Sequence, residues 1–158
     1  MSHPAPDPRG HPELDANARA LLARAYGLQS QADSQALYRD WATTYDKTMV
    51  DGLQYRSPTV VADLLRPHLA KAQTRVLDIG CGTGLAGRAL AVHGFTEIEG
   101  LDLSPEMAQL AADSGAYRAF VMADLNATLP VLDATYDAAM CCGTFTTCLL
   151  YTSDAADE

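Results

Sequence analysis

The sequence is poor in cysteine and contains no long apolar run. Its four cysteines, among 158 residues, form no Cys-x-x-Cys pair, the spacing typical of many zinc and redox sites. We therefore predict neither a disulfide framework nor a metal site, as in proteins of a reducing cytosol. No apolar run approaches the ~18 residues of a membrane-spanning helix, and the amino terminus lacks the apolar core of a signal peptide. These absences predict a cytoplasmic protein with no membrane partner.

Basic residues are also few. The chain has 11 Lys and Arg against 20 Asp and Glu, which gives a formal net charge of -9. Nucleic acids and anionic membranes are polyanions, so this charge argues against both as main partners and leaves small or cationic ligands. Hydrophobic residues make up 48% of the chain, enough for the core of a folded domain. The composition does not indicate an oligomeric state.

The first third of the chain predicts a leader and three helices. Residues 1–10 carry three of the eight prolines and are expected to form a disordered leader. Helical spacing of apolar residues predicts three helices, from Pro12 to a stop at Gly27, from Asp33 to just before Asp51, and from Ser57 to Pro67. Ser57 is predicted to cap the third helix, with Pro58 in its first turn. We assign residues 11–56 to an N-terminal helical cap.

Short apolar strands and helices alternate after this cap. The predicted strands are Arg75–Ile79, Glu97–Leu101, Ala119–Met122 and Tyr136–Cys141. Helices are predicted over Thr83–Val92 and Ser104–Ala112, the second capped by Ser104. This alternation indicates an α/β fold with a parallel, right-handed, layered sheet.

A glycine-rich turn, VLDIGCGTG, joins the first strand to its helix. Such a turn brings backbone N–H groups close to a ligand, although tight packing of strand on helix is a simpler explanation. The dinucleotide fingerprint GxGxxG fails when counted from Gly80. It fits Gly82, Gly84 and Gly87, two residues further from the strand. A nicotinamide-dependent oxidoreductase therefore remains an alternative.

Acidic residues follow three of the strands. Asp78 ends the first strand, where a carboxylate would repel a pyrophosphate and attract a cation. Asp102 follows the second strand, where it can accept hydrogen bonds from ribose hydroxyls. Asp124, or the amides of Asp124 and Leu125, would bind the edge of an adenine, unless Asp124 only forms a turn. The residues expected against the ring faces are Leu103 and Met107, although core packing is the alternative for Met107.

These segments resemble the class I S-adenosylmethionine-dependent methyltransferases, whose first motif is similar to VLDIGCGTG. The resemblance implies a Rossmann-like sheet and S-adenosylmethionine as cofactor, with its amine near Asp78, its ribose on Asp102 and its adenine on Asp124. The fourth strand is similar to that of the family, so Cys141 or Cys142 would face the cofactor. The predicted cofactor-binding residues are Asp78, Gly80, Cys81, Gly82, Gly84, Asp102, Leu103, Met107, Asp124, Leu125 and Cys141.

The N-terminal segment resembles a smaller group of these enzymes. The strings WATTYD from residue 41 and YRSP from residue 55 are similar to the first helices of the Williams–Beuren-region, methyltransferase-like type. Trp41, Tyr45 and Tyr55 are predicted to contact substrate or form a lid. Tyr45, Asp46 and Tyr55 are candidate general bases because they lie on the segment expected to cover the pocket. Packing and capping are their alternative roles, and the sequence identifies no catalytic base.

The resemblance predicts methyl transfer from S-adenosylmethionine to a small-molecule acceptor. A sulfonium already carries a good leaving group, so the enzyme mainly aligns the acceptor and excludes water. A non-catalytic cofactor-binding module remains a further alternative. The family's sheet has seven strands and only four are predicted, so we interpret residues 57–147 as an incomplete, inactive methyltransferase domain. Residues 148–158 resemble translated sequencing adapter and are predicted to be a non-native tail.

Overall fold

Two packed helices begin the part of the chain that the computed structural model describes, which is residues 14–28 and 31–144. Helix α1 spans Ala16–Tyr26 and α2 spans Gln31–Trp41. The carboxylate of Asp15 accepts a hydrogen bond from the Ala18 N–H at 2.7 Å, which satisfies one of the free donors of the first turn of α1. Six buried hydrophobic residues of this segment form a cluster: Leu14, Ala18, Leu21, Leu22, Leu37 and Trp41. The predicted leader and the predicted tail lie outside the described residues.

The second predicted helix is interrupted, which corrects the prediction of one helix from Asp33 to just before Asp51. Helix α2 ends at Trp41, and a π-helix then covers Lys47–Gly52. Asp46, between the two, binds side chains of the glycine loop and of the helix after it. The uniform helical spacing of the sequence did not predict these tertiary contacts.

Helix α3 spans Ser57–Leu65 and continues as a short 3₁₀ helix over Arg66–His68. Pro58 occupies its first turn, as predicted. The predicted capping role of Ser57 is wrong, because Ser57 is already the first helical residue. The Val60 N–H donates to the carbonyl of Arg56 at 3.1 Å, so the helical hydrogen bonds begin one residue earlier than expected.

The sheet contains four parallel strands in the order β3-β2-β1-β4. Their bounds are Val76–Ile79 for β1, Ile98–Asp102 for β2, Ala119–Met122 for β3 and Ala138–Cys141 for β4. Each predicted strand overlaps an observed one, and the predicted parallel α/β sheet is confirmed. The chain runs from β1 outward to β3 and then returns to the other side of β1. Ligands of open α/β sheets bind at the carboxyl ends of the strands at such a reversal.

Two helices connect the strands. Helix α4 spans Leu85–Val92, and α5 spans Pro105–Asp113. The Ser104 hydroxyl accepts a hydrogen bond from the Met107 N–H at 3.3 Å, which confirms the predicted cap. The core between α3, α4 and the sheet consists of Ala62, Val76, Ala86, Leu90, Phe95, Ile98 and Met140. In residues 14–28 and 31–144, no helix is both long and apolar enough to cross a bilayer.

Candidate functional site

An open cleft lies at the carboxyl ends of the strands, beneath α2. We call it the main cleft. The predicted site residues on its wall are Tyr45, Gly80, Gly82, Asp102, Leu103, Met107, Asp124 and Leu125. Helix α2 contributes Ser34, Gln35 and Tyr38 to the same wall. No motif in the sequence indicates these three, because they lie on a helix whose apolar spacing predicts only packing.

A smaller side cavity adjoins the main cleft and shares Tyr45, Gly80 and Gly82 with it. It adds three further predicted residues, Asp78, Cys81 and Tyr55. The fold thus brings most of the predicted site residues to two neighbouring cavities.

Of the residues predicted to bind cofactor or substrate or to form a lid, three line neither cavity. Trp41 is buried in the core of the helical cap, with its ring 5.0 Å from that of Tyr45. Gly84 lies beneath other side chains at the start of α4. Cys141 is also absent from both walls, whereas its neighbour Cys142 lies on both. This fits the opposite directions of successive side chains along an extended chain.

The backbone of the glycine loop favours glycine at all three of its glycines, with Gly82 at a φ of +53°. Gly80 has a φ of +68° and Gly84 a φ of +87°, in the left-handed region where a Cβ is strained. A Cβ on Gly80 would also overlap the buried side chain of Thr144. The Thr144 hydroxyl lies 3.2 Å from the carbonyl oxygens of both Ile79 and Gly80. Thr144 therefore holds the end of β1 in place.

Asp102 connects the glycine loop to the end of β2. Its Oδ2 accepts a hydrogen bond from the Gly82 N–H at 2.7 Å, and its Oδ1 accepts one from the Ser104 N–H at 2.9 Å. Burial raises the pKa of Asp102, and the backbone N–H groups oppose that rise. A carboxylate oxygen has two lone pairs, so each oxygen retains capacity for a second donor.

Asp78 is almost completely buried, with 1% of its surface exposed. The Tyr117 hydroxyl donates to its Oδ2 at 2.6 Å. Burial raises the pKa of Asp78 to about 6; the Tyr117 hydrogen bond lowers it and the charge of Asp102 raises it. No sequence pattern indicates Tyr117, which is a single aromatic residue before β3.

Tyr117 also explains why glycine occurs at two positions of the GxGxxG frame formed by Gly82, Gly84 and Gly87. A Cβ on Gly87 would overlap its ring, and a Cβ on Gly84 would lie 2.8 Å from its Cε2. The Gly87 N–H donates to the Tyr117 hydroxyl at 3.1 Å. Two glycines of the GxGxxG frame thus make room for a side chain of the protein itself.

Asp46 attaches the helical cap to the sheet domain. Its carboxylate accepts hydrogen bonds from the Thr83 hydroxyl and from the Arg88 guanidinium. Asp46 lines neither cavity. Its hydrogen bonds connect the cap to the glycine loop and to α4.

Tyr45 and Tyr55 face the side cavity. Burial raises the pKa of Tyr45 to about 12 and raises that of Tyr55 further above its ordinary value. The Tyr55 hydroxyl lies 3.4 Å from the Cys142 sulfur. Both phenols are therefore neutral at physiological pH in this arrangement.

Comparison with known proteins identifies the family to which this chain belongs. The sequence profile of a family described as "Methyltransferase domain" matches residues 76–156, about half of the chain, beginning at β1. The chain belongs to the class I S-adenosylmethionine-dependent methyltransferases. This result decides against the nicotinamide-dependent alternative, in agreement with the contact of Tyr117 with Gly84 and Gly87.

Individual methyltransferases match over different lengths. Methyltransferase-like protein 27 of Homo sapiens is 34% identical over 139 residues, which are 84% of this chain and 53% of that protein. The 18S rRNA (guanine-N(7))-methyltransferase of Bos taurus is 40% identical over 63 residues, 40% of this chain and 22% of that protein. The chain thus spans about half the length of the first of these methyltransferases and less of the second.

A solved methyltransferase-fold structure also matches. The DhpI–SAH complex is 30% identical to this chain, with a TM-score of 0.51, and the match covers 69% of this chain and 52% of that one. The ligand in that structure is SAH, the product form of the cofactor. The Rossmann-like methyltransferase fold predicted from the sequence is therefore confirmed.

Proposed function

We propose that this chain binds S-adenosylmethionine and forms the cofactor-binding part of an enzyme that methylates a small-molecule acceptor. The observation that carries the proposal is the position of Asp78 and Asp102 at the ends of neighbouring strands, on the walls of two adjoining cavities beside the glycine loop. Carboxylates there attract a cation and accept hydrogen bonds from a ribose. Such a pair suits a cofactor with an ammonium, a sulfonium and a ribose.

The described residues fit this cofactor. The space beside Gly82 is open, since a Cβ there would meet none of the described atoms within 4 Å. We assign the amine to Asp78 and the ribose to Asp102. Leu103 and Met107 would contact the adenine ring, and its edge would meet the residues after β3, which are Asp124 and Leu125. When bound, the cofactor supplies a methyl group activated by a sulfonium.

Other loop residues have supporting roles in the proposal. Gly80 and Cys81 would face the cofactor through their backbone, while Gly84 places the start of α4. Of the vicinal cysteines, Cys142 has the better position beside the cofactor, because it lines both cavities and Cys141 lines neither. We retain the division into a helical cap, residues 11–56, and a methyltransferase domain from residue 57.

The side cavity supports a small acceptor bound beside the cofactor. Its wall combines the phenols of Tyr45 and Tyr55 with the apolar side chains of Pro58, Leu85 and Ala86. The net charge of -9 disfavours a nucleic acid as the acceptor, because the phosphate backbone is repelled. The three described cysteines are free thiols, which suits a cytoplasmic enzyme.

Calorimetry of the 158-residue chain tests cofactor binding. S-adenosylhomocysteine is the test ligand, and NADH is the control that shares its adenosine but not its amino acid. We expect binding of S-adenosylhomocysteine alone. Binding of NADH alone, or of neither ligand, would overturn the proposal.

Methyl transfer is tested with the enzyme of which this chain forms the cofactor-binding part, using methyl-labelled S-adenosylmethionine and two acceptor pools, small metabolites and total RNA. Label is expected in the small-molecule fraction, where mass spectrometry then identifies the product. Label found only in RNA would contradict the proposed acceptor class while leaving the proposed cofactor intact.

A further inference from the structure

Tyr117 occupies a position between the acid of β1 and the first turn of α4. Its hydroxyl has two partners, the Asp78 carboxylate at 2.6 Å and the Gly87 N–H at 3.1 Å. Because the Gly87 N–H donates to the hydroxyl oxygen, the hydroxyl proton is left to point at Asp78. The orientation of this hydrogen bond is therefore determined by the backbone of α4.

The ring of Tyr117 is fixed as firmly as its hydroxyl. Its edge lies against Gly84 and Gly87, where a larger residue would overlap it. On the other side, its centroid is 5.2 Å from that of Phe120 in β3. The hydroxyl is thus presented to Asp78 by a rigid side chain rather than by a rotating one.

No cation balances the charge of Asp78 within the described residues that bear on it. These residues are Tyr117 before β3, Asp102 at the end of β2, Cys81 in the glycine loop and Cys142 after β4. The favourable contributions come from the hydroxyl of Tyr117 and the backbone N–H of Gly87. A buried carboxylate in such surroundings needs hydrogen bonds to remain charged and gains from a cationic ligand.

We propose that Tyr117 is a positioning residue of the cofactor site, which keeps Asp78 charged and oriented to receive the ammonium group of the bound cofactor. This inference rests on the proposed binding of S-adenosylmethionine. It assigns Tyr117 no contact with the reacting methyl group. The competing explanation is that Tyr117 only fills the space above the two glycines.

The substitution Tyr117→Phe separates the two explanations, because it keeps the ring and removes the hydroxyl. The matched control is Tyr136→Phe. It also removes a hydroxyl that donates to a carboxylate, that of Glu99 at 2.6 Å, but Tyr136 lines neither cavity. Affinity for S-adenosylhomocysteine is measured by calorimetry across a pH series for the wild type and both variants.

In the wild type, affinity is expected to fall as the pH drops through about 6, where Asp78 takes up a proton. In Tyr117→Phe this fall should move to higher pH, with affinity about tenfold weaker near neutral pH and closer to the wild type at alkaline pH. Tyr136→Phe should follow the wild type. An equal loss at every pH, or no change, would overturn the positioning role.

A second measurement needs no ligand. The carboxyl carbon of Asp78 is followed by ¹³C NMR during a pH titration of the wild type and of Tyr117→Phe. The midpoint should rise in the variant, and an unchanged midpoint would overturn the inference. If the midpoint rises but the wild type binds no S-adenosylhomocysteine, the coupling of Tyr117 to Asp78 stands and the proposed cofactor fails.

Discussion

The carboxylate of Asp102 accepts a hydrogen bond from the Gly82 N–H at 2.7 Å, so the acid at the end of β2 shapes the loop that follows β1. Its other oxygen accepts from the Ser104 N–H at the start of α5. A single side chain therefore orders two loops on one wall of the main cleft. Its loss should affect binding through the loop as well as through the missing carboxylate.

The substitution Asp102→Ala tests this double role. It removes both hydrogen bonds and the proposed ribose contact, and we expect affinity for S-adenosylhomocysteine to fall at least about 100-fold, since hydrogen bonds to charged groups contribute about 1.5–3 kcal/mol each. Calorimetry measures the loss. Asp133→Ala, on an exposed loop, is the control and should bind like the wild type. A near-normal affinity in Asp102→Ala would refute the proposed ribose contact of Asp102.

The stability of the ligand-free chain should depend on pH through Asp78. Its pKa of about 6 in the folded chain is above the ordinary value, so the folded state binds more protons than the unfolded state between the two values. Protonation of Asp78 on acidification from about pH 7 to about pH 5 should therefore raise the free energy of unfolding by about 1–2 kcal/mol. Stability from this source is lost as the pH rises through about 6.

Denaturant unfolding of the wild type and of Asp78→Asn at both pH values isolates this effect from other carboxylates. The free energy of unfolding should rise less on acidification in the variant. An identical rise in both proteins would show that Asp78 does not titrate in this range.

Gly80→Ala should lower the stability of the fold by more than the strain at its backbone angle alone explains. Gly80 and Gly94 both have positive φ, at +68° and +87°, but a Cβ on Gly94 would meet none of the described atoms within 4 Å, whereas one on Gly80 would overlap Thr144. We expect Gly94→Ala to cost about 1 kcal/mol from the left-handed backbone. Gly80→Ala should cost about 3 kcal/mol, because overpacking adds to that strain. Thermal unfolding of both variants measures the difference, and equal costs would contradict the contact with Thr144.

The attachment of the helical cap should depend on Asp46. Asp46→Ala removes the hydrogen bonds to Thr83 and Arg88; both members of the Asp46–Arg88 ion pair are partly exposed, so the cost should stay near 1 kcal/mol. Faster hydrogen exchange in the π-helix is the expected sign of a loosened cap. Asp40→Ala, which breaks an exposed pair with Arg24 inside the cap, should leave that exchange unchanged. Equal exchange in the two variants would refute a connecting role for Asp46.

Local patterns predicted the sheet well and the long-range contacts poorly. The strand β3 was predicted with its observed bounds, Ala119–Met122, because its apolar run is clearly bounded. The cap at Ser104 was also predicted correctly, since a hydroxyl before a proline has a local cause. Ser57 has the same local pattern, yet its helix begins one residue earlier.

Contacts between residues far apart in the sequence could not be predicted, because they leave no local sequence pattern. Asp46, which follows the break after Trp41, binds residues about 40 positions further along the chain. Tyr117 is a similar case, because nothing in its neighbourhood distinguishes it from a core aromatic. Among the cysteines, the pattern could not separate Cys141 from Cys142, and of these two only Cys142 lines the cavities.

The contact between Gly87 and Tyr117 has a consequence for comparing related sequences. The two residues are 30 positions apart, yet a larger residue at position 87 would overlap the ring of Tyr117. We expect them to covary among homologues, so that a larger residue at the position of Gly87 accompanies a smaller one at the position of Tyr117. In such a family, the number of glycines after the first strand depends on the size of the internal side chain that packs against them. A GxGxxG match there is therefore a poor indication that the ligand is a dinucleotide.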